Sequence, residues 1–380
     1  MVNDRRPAII VFVTHVYLDH AATTPMRPEV REAMEPFLTD GFGNASGSHA
    51  VSRRAKNALE DARERVAGHL HCLPQEIVFT AGGTEADNLA VKGLALAEGI
   101  GGVVTVATEH EAVLESAEFV RRLGGEVAVV GVDSDGRVDP GRLASAVSDR
   151  TRVVSVMWAN NETGVLQPLR EIAEALGGGV PLHTDAVQAV ISEDVSSEGV
   201  DLLTIAGHKI GGPKGVGALY VRDGLRLEPV LHGGGQELGR RSGTHDVAGA
   251  VGLAAALDAA VADRADFRRR VALVRSTFEA RVESVAERTV SPELTLVQHS
   301  HLRVPGRRNE TLLVRLDQSG VAASSASACQ SGASTVSHVL AAMGVAEPRE
   351  YLRFSFGWNS TVDEARRAGE ALCDAVGAVA

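Results

Sequence analysis

Lys209 stands just past an apolar run, in the segment Ala206-Gly207-His208-Lys209-Ile210-Gly211-Gly212-Pro213-Lys214-Gly215-Val216-Gly217, among five glycines and a proline. Most lysines are solvated surface charges, but glycines at this density imply that the backbone comes close to something. A lysine at the carboxyl end of a parallel strand faces the crevice where α/β sheets bind ligands. An amine placed there can form a Schiff base with a carbonyl compound. Upstream, His183-Thr184-Asp185-Ala186-Val187-Gln188 ends another apolar run. Alone, Asp185 reads as a helix cap. Followed by the lysine strand, it reads as a carboxylate facing a pyridine nitrogen, which keeps the ring protonated and electron-withdrawing. Gln188, one turn later, is then placed to donate to a phenolic oxygen.

Two further stretches carry chemistry. Thr80-Ala81-Gly82-Gly83-Thr84-Glu85-Ala86-Asp87-Asn88 follows a strand pattern and opens a helix. Free amides at such a terminus, together with the helix dipole, suit a phosphate ester. The spacing is neither a Walker loop nor GxGxxG, so by itself it is equally an ordinary capped turn. Cys329 lies in Ala323-Ser324-Ser325-Ala326-Ser327-Ala328-Cys329-Gln330-Ser331-Gly332. A lone cysteine is usually a small buried hydrophobe. Here the neighbours are small and polar, which predicts a loop with an accessible thiol. Cys72 and Cys373 fall in helical or capping contexts and read as structural.

The scaffold that must position these groups is an α/β sheet. Short apolar runs at 77–79, 103–107, 127–132, 153–158, 181–184, 202–206 and 217–221 alternate with amphipathic stretches at 84–97, 111–123, 141–147 and 169–176. That alternation predicts a mostly parallel sheet covered on both faces, with right-handed crossovers. A charge-rich helix is expected at 52–70 and a long polar-faced one at 263–286. Beyond them, strands at 295–298 and 351–356 and helices at 311–319, 334–343 and 362–376 suggest a smaller α+β domain. The expected division is an N-terminal arm (1–26), a large domain (27–262) and a small C-terminal domain (263–380) that carries Cys329.

Bulk properties fit this picture. The 380 residues are 44% hydrophobic and 23% charged, a globular profile. A formal charge of -11 lacks the basic footprint of nucleic-acid binding. Three widely spaced cysteines without a CxxC pair point to a reducing cytoplasm and against a disulfide framework or a metal site. The apolar run from Ala8 to Val13 falls far short of the roughly 20 residues of a membrane span and reads as a short strand or arm.

Taken together, these segments resemble the fold-type-I pyridoxal-phosphate enzymes and, within them, the cysteine desulfurases of the class V aminotransferase group. The resemblance runs from Tyr17-Leu18-Asp19-His20-Ala21-Ala22-Thr23-Thr24-Pro25 to Arg353-Phe354-Ser355-Phe356-Gly357. It implies pyridoxal 5'-phosphate held by Lys209, with Asp185 and Gln188 on the ring. His110, in Thr108-Glu109-His110, would stack on the ring, and Asn161, in Asn160-Asn161-Glu162-Thr163-Gly164, would lie by the phenolic oxygen and the substrate. It further implies a phosphate cup of Gly83, Thr84 and His208, completed by Thr244 from a second subunit, hence an obligate homodimer. Arg353 would grip the carboxylate of L-cysteine, with Asn44 as a second contact. Cys329 would be the nucleophile that becomes a persulfide, delivering sulfur to an acceptor or scaffold protein. The serine-rich stretch around it resembles the long-loop branch that serves iron–sulfur assembly.

The pattern departs from the family at three places. Ala206 stands where many relatives have a serine that donates to the phosphate, Ala326 where a glycine is usual, and Ala45 where a proline is frequent. None removes a catalytic group. Rival activities share part of the set: a selenocysteine or other carbon–sulfur lyase would use the same residues, a class V aminotransferase would not need Cys329, and a non-catalytic scaffold would need none of them.

Overall fold

A computed structural model describes residues 16–325 and 337–377. The described residues open with strand β1 (Val16–Tyr17) and helices α1 (Pro28–Leu38) and α2 (Ala50–Leu70). Then come β2 (Ile77–Thr80), α3 (Gly83–Leu96), β3 (Gly102–Val106), α4 (Glu111–Arg122), β4 (Val127–Val130), α5 (Pro140–Ser145), β5 (Thr151–Ser155) and α6 (Leu169–Leu176). Strands β6 (Leu182–Asp185), β7 (Leu202–Ala206) and β8 (Gly217–Val221) follow, and then the long helix α7 (Val247–Val282). The C-terminal part contains β9 (Glu287–Arg288), β10 (His299–Arg303), α8 (Asn309–Gln318), β11 (Val321–Ala322), α9 (His338–Ala342), β12 (Tyr351–Ser355) and α10 (Val362–Gly377).

The main sheet has seven strands in the order β2-β8-β7-β6-β5-β3-β4. Pairing is parallel from β7 through β4, and β8 runs antiparallel to both neighbours. Successive residues of one strand enter different cores. Val103 and Leu202 pack with Leu89, Val91 and Val113 of α3 and α4, whereas Val104 and Leu203 pack with Leu59, Val66 and Leu253 of α2 and α7. Both faces of the sheet are therefore covered, which is why its strands read as continuous apolar runs. The carboxyl ends of β6 and β7 deliver Asp185 and Lys209 to the same edge.

A second sheet, β12-β10-β9, is antiparallel, with Ser300 opposite Phe354. Helix α7 joins it to the main sheet, because Phe278 packs against Phe354 and Phe356 at ring-centroid distances of 4.5 and 5.9 Å. Strand β1 joins this end of the molecule, pairing parallel to β11 with Val16 opposite Val321.

Some boundaries differ from the sequence expectation. Helix α7 begins sixteen residues before the expected 263, because its first half is apolar on nearly every face and shows no amphipathic stripe. The expected domain boundary at 262/263 thus falls within an unbroken helix. The strand expected at 295–298 is instead His299–Arg303, whose polar sequence hides the fact that His299, Ser300 and His301 are buried. Helix α1 was not anticipated. Of the helix expected at 334–343, the described part is His338–Ala342; the apolar run before residue 16 and residues 326–336 lie outside the described residues.

Candidate active site

Lys209 lies in the single 3-10 turn that continues β7. Its ammonium donates to two successive backbone carbonyls of the N-terminal turn, Ala21 O at 2.5 Å and Ala22 O at 2.8 Å. Gln188 Nε2 donates to the same Ala21 oxygen at 2.9 Å. The turn is itself held from inside, as Tyr17 Oη donates to Asp19 O and Thr23 O at 3.0 and 2.9 Å. The glycines around Lys209 serve the protein's own packing. A Cβ on Gly217 would lie 2.6 Å from Ile205 O and 2.8 Å from the Gly82 carbonyl carbon, and one on Gly211 would meet the Arg27 side chain at 2.6 Å. The glycine density predicts a close approach of the backbone to something, and most of the close approaches are to neighbouring backbone and to Arg27.

A cavity of about 710 Å³ opens beside this turn, with Thr23, Gly83, Thr84, His208 and Lys214 among its lining residues. Gly82 precedes α3 with φ +142°, a conformation side chains rarely adopt, and it leaves the first amides of the helix uncovered. His208 Nδ1 lies 3.2 Å from Thr23 Oγ1. Burial, reinforced by the charges of Lys209 and Lys214, lowers His208 to about 4. It is therefore a neutral ring at physiological pH, suited to hydrogen bonding beside an anion. Ala206 is buried beneath Gly83, where it offers only a methyl group.

Asp185 ends β6 and accepts from Val187 N at 2.9 Å. Burial raises its pKa, and the charges of His110 and Lys209 together with the Val187 amide oppose that rise. His110 caps α4, its Nδ1 accepting from Ala112 N at 3.1 Å, so the opposite nitrogen carries the ring proton when the imidazole is neutral. Below Asp185 are two carboxyls the sequence reading did not single out, Asp87 and Glu109. Both are raised well above the ordinary range, first by burial and next by the charge of Asp185. His183, on the same strand, bridges Ser155 Oγ at 2.9 Å and Thr204 Oγ1 at 3.0 Å, and burial lowers it to about 3.

Arg353, on β12, is 3% exposed. Its Nη1 donates to Asn161 O at 2.8 Å and its Nη2 to Asp19 Oδ1 at 2.7 Å. Three distant parts of the sequence, 19, 161 and 353, therefore meet at one guanidinium. The loop bearing Asn161 is shaped by Asn160, whose Oδ1 accepts from the Glu162 and Thr163 amides, each at 2.9 Å. Gly164, at φ +78°, lies so close to His299 that a Cβ would come within 2.6 Å of its Cβ. Asp19 and His299 are site neighbours missed from the sequence. Asp19 had a visible signal in its place within Tyr17-Leu18-Asp19-His20; His299 had none.

The structure thus brings Lys209 and Gln188 to one carbonyl, sets His110 and Lys209 within electrostatic reach of Asp185, lines the neighbouring cavity with His208, and joins Asn161 to Arg353. Thr244 is exposed in the single chain, and Asn44 is exposed with Oδ1 accepting from Ser46 N at 2.9 Å. Cys329 lies outside the described residues. The chain on its amino side is backbone-paired to the site, Arg353 N donating to Ser324 O at 2.8 Å.

A seven-stranded, mostly parallel sheet with a lysine and a carboxylate at its carboxyl edge defines the class of fold-type-I pyridoxal-phosphate-dependent transferases. The family model for class-V aminotransferases matches residues 16–367. Among curated proteins, the chain is 41% identical over 364 residues to the cysteine desulfurase IscS of Dictyoglomus turgidum, covering 92% of this chain and 91% of that one. It is 42% identical over 377 residues to the IscS-like cysteine desulfurase of Mycobacterium tuberculosis, covering 95% and 96%. Among solved structures, a NifS-like protein superposes with a TM-score of 0.88 at 32% identity, covering 96% of this chain and 99% of that one. SspA in complex with cysteine gives a TM-score of 0.80 at 34% identity, covering 90% and 98%. The chain belongs to the class-V aminotransferase family and, within it, to the cysteine desulfurases.

Proposed function

We propose that this chain binds pyridoxal 5'-phosphate covalently through Lys209 and uses Cys329 to take the sulfur of L-cysteine, releasing L-alanine. The observation that carries this reading is the meeting of Lys209 and Gln188 at one carbonyl, beside a cavity lined by Gly83, Thr84 and His208. The residues fit the cofactor. Gly82 keeps side chains off the α3 amides that would hold its phosphate. Asp185 supplies a buried carboxylate, and His208 supplies a neutral ring. With Ala206 in place of a hydroxyl, the phosphate site has one donor fewer. When bound, pyridoxal phosphate supplies a protonated ring that withdraws electrons from the substrate's alpha carbon.

The chain's own residues do the rest. Arg353, braced by Asp19 and by Asn161 O, binds the substrate carboxylate, with Asn44 as a second contact. Lys209 Nζ would hold the cofactor and, when free, would take the substrate's alpha proton as general base. Asp185 would hold a proton at the ring nitrogen, and Gln188 and Asn161 would hold the phenolic oxygen. His110 would lie against the ring and move protons. The Cys329 thiolate attacks the substrate sulfur. A sulfur–sulfur bond replaces the carbon–sulfur bond, so L-cysteine and the thiol become L-alanine and the persulfide with no external oxidant.

Thr244, exposed in one chain, is assigned to the phosphate site of a second copy, which makes the enzyme a homodimer. The large and small domains meet along α7. The persulfide is passed to an acceptor or scaffold protein for iron–sulfur cluster or other sulfur-containing biosynthesis, in the reducing cytoplasm that three widely spaced cysteines without a CxxC pair suit. The deciding experiment incubates the purified, cofactor-loaded protein with L-cysteine and a reductant and measures alanine and sulfide. Equal amounts of both are expected. Formation of neither would overturn the reading, and activity confined to selenocysteine would replace it with a lyase.

A further inference from the structure

The segment from Gly235 to Thr244 lies between the main sheet and α7. At its centre Glu237 and Leu238 both take positive φ, 51° and 57°, a conformation that non-glycine residues seldom adopt. Leu238 is 76% exposed, yet the side chain beside it, that of Glu237, is only 1% exposed. The reversal therefore drives a carboxylate inward. Glu237 accepts four hydrogen bonds: from Arg63 Nη1 and Nη2 at 2.7 and 2.8 Å, from Phe79 N at 3.0 Å and from His245 Nε2 at 2.8 Å.

This arrangement is costly to build. Buried ion pairs are often no better for stability than apolar residues of the same size, so stability alone is a weak reason to turn a carboxylate inward through two strained positions. The partners suggest a reason. Phe79 lies on β2 just before the turn that leads to Gly83 and Thr84. His245 follows Thr244. On the other side of Thr244, Gly243 N donates to Gln236 Oε1 at 2.9 Å. Both sequence neighbours of Thr244 are therefore tied down, by two adjacent side chains of the reversed segment. A further tie reaches the same turn: Arg241 forms a two-pronged pair with Glu85 at 2.8 and 3.2 Å, and Glu85 also accepts from Ala81 N at 2.8 Å.

We infer that Glu237 is a positioning residue that fixes Thr244 relative to the Gly83–Thr84 turn, holding His245 on one side while Gln236 holds Gly243 on the other. The inference rests on the reading in which Thr244 completes the phosphate site of a second copy. In that dimer, the distance between a chain's own phosphate turn and the threonine it lends to its partner is set by this buried carboxylate.

The test titrates the cofactor-free protein with pyridoxal phosphate, and separately with inorganic phosphate as competitor. Glu237→Gln removes the buried charge that faces Arg63, leaving it Glu60 and the Ile77 carbonyl, and can unfold the chain, so the informative changes are at His245. Thr244→Ala and His245→Ala should each weaken pyridoxal phosphate about tenfold, as expected for one hydrogen bond to a charged group. The double variant should be no weaker than either single one, because both changes remove the same contact. His245→Gln, which keeps a donor for Glu237, should restore most of the affinity. Additive losses in the double variant, or wild-type affinity in His245→Ala, would overturn the inference while leaving the role of Thr244 intact. Wild-type affinity in Thr244→Ala is a different result, sinking the assignment of Thr244 to the phosphate site and this inference with it.

Discussion

Lys209 and Gln188 donate to one and the same oxygen, the carbonyl of Ala21, at 2.5 and 2.9 Å. The lysine is also 2.8 Å from the next carbonyl, Ala22 O. In the proposed reading this amine leaves the two carbonyls to hold the cofactor and later to accept a proton, while its charge also acts on the buried Asp185. Borohydride reduction followed by peptide mass analysis should therefore find the cofactor on Lys209 in the wild-type protein. Lys209→Ala should lose both the linkage and turnover. A reducible linkage retained in Lys209→Ala would make the assignment wrong.

Arg353 meets Asp19 and Asn161 in a way a lysine cannot copy, since the two bonds leave from separate nitrogens of a planar fork. Arg353→Lys should lower kcat/KM for cysteine by roughly 1–3 kcal/mol, mostly through KM. Asp19→Ala should raise KM in the same direction by freeing the guanidinium. Cofactor content should be unchanged in both. Wild-type kinetics in Arg353→Lys would move the carboxylate site elsewhere.

The three cysteines should separate cleanly. Burial, aided by Glu76, pushes the Cys72 thiol up to about 12, so it stays protonated and is a poor nucleophile at neutral pH. Cys373 Sγ lies 3.4 Å from Arg281 O, against α7. Cys72→Ser and Cys373→Ser should release alanine like wild type. Cys329→Ser should bind the cofactor and cysteine normally yet give neither alanine nor persulfide. Sulfide release retained in Cys329→Ser would remove the persulfide step.

Five wholly or partly buried histidines should each oppose folding as the pH falls below 6.5. Burial lowers His20 and His208 to about 4 and His183, His299 and His301 to about 3, with Lys209 and Lys214 adding to the effect at His208 and Arg353 at His299 and His301. Each is neutral when folded and titrates near its ordinary value of about 6.5 when unfolded. Their contribution is present above that pH and is lost progressively as pH falls toward 3 to 4. The raised carboxyls Asp87 and Glu109 act in the opposite sense, binding protons in the folded state, so the histidine contribution is read by difference. Between about pH 6.5 and 5 the urea midpoint of His183→Asn should fall less, or rise more, than that of wild type. An identical pH slope in the two proteins would refute the account.

Much of this molecule was legible because its main sheet is buried on both faces. All seven strands of that sheet coincide with apolar runs, and the lysine and aspartate at their ends were visible as strand-end polar residues. What escaped notice was polarity placed inside. Strand His299–Arg303 looks like a surface segment but is covered on both sides, and Asp87 and Glu109 look like exposed helix and loop charges but lie beneath Asp185. Helix α7 was read late because its first half, enclosed all round, has no polar stripe to reveal the helical period. The Asp19–Arg353 pair could not be inferred from spacing, since nothing local marks two residues so far apart as neighbours.

That separation bears on how the protein is made. Arg353 and its acidic brace, Asp19, are 334 positions apart. At about 5–20 residues per second, the N-terminal turn waits roughly 20–70 s on the ribosome before its partners exist. Until then the carbonyls of Ala21 and Ala22 have Lys209, but β1 has no strand to join and Asp19 no cation to meet. The crevice is therefore finished by its first and last segments together, a late closing step with high contact order that a nascent-chain protease would detect as an N-terminal end protected only after residue 355 has emerged.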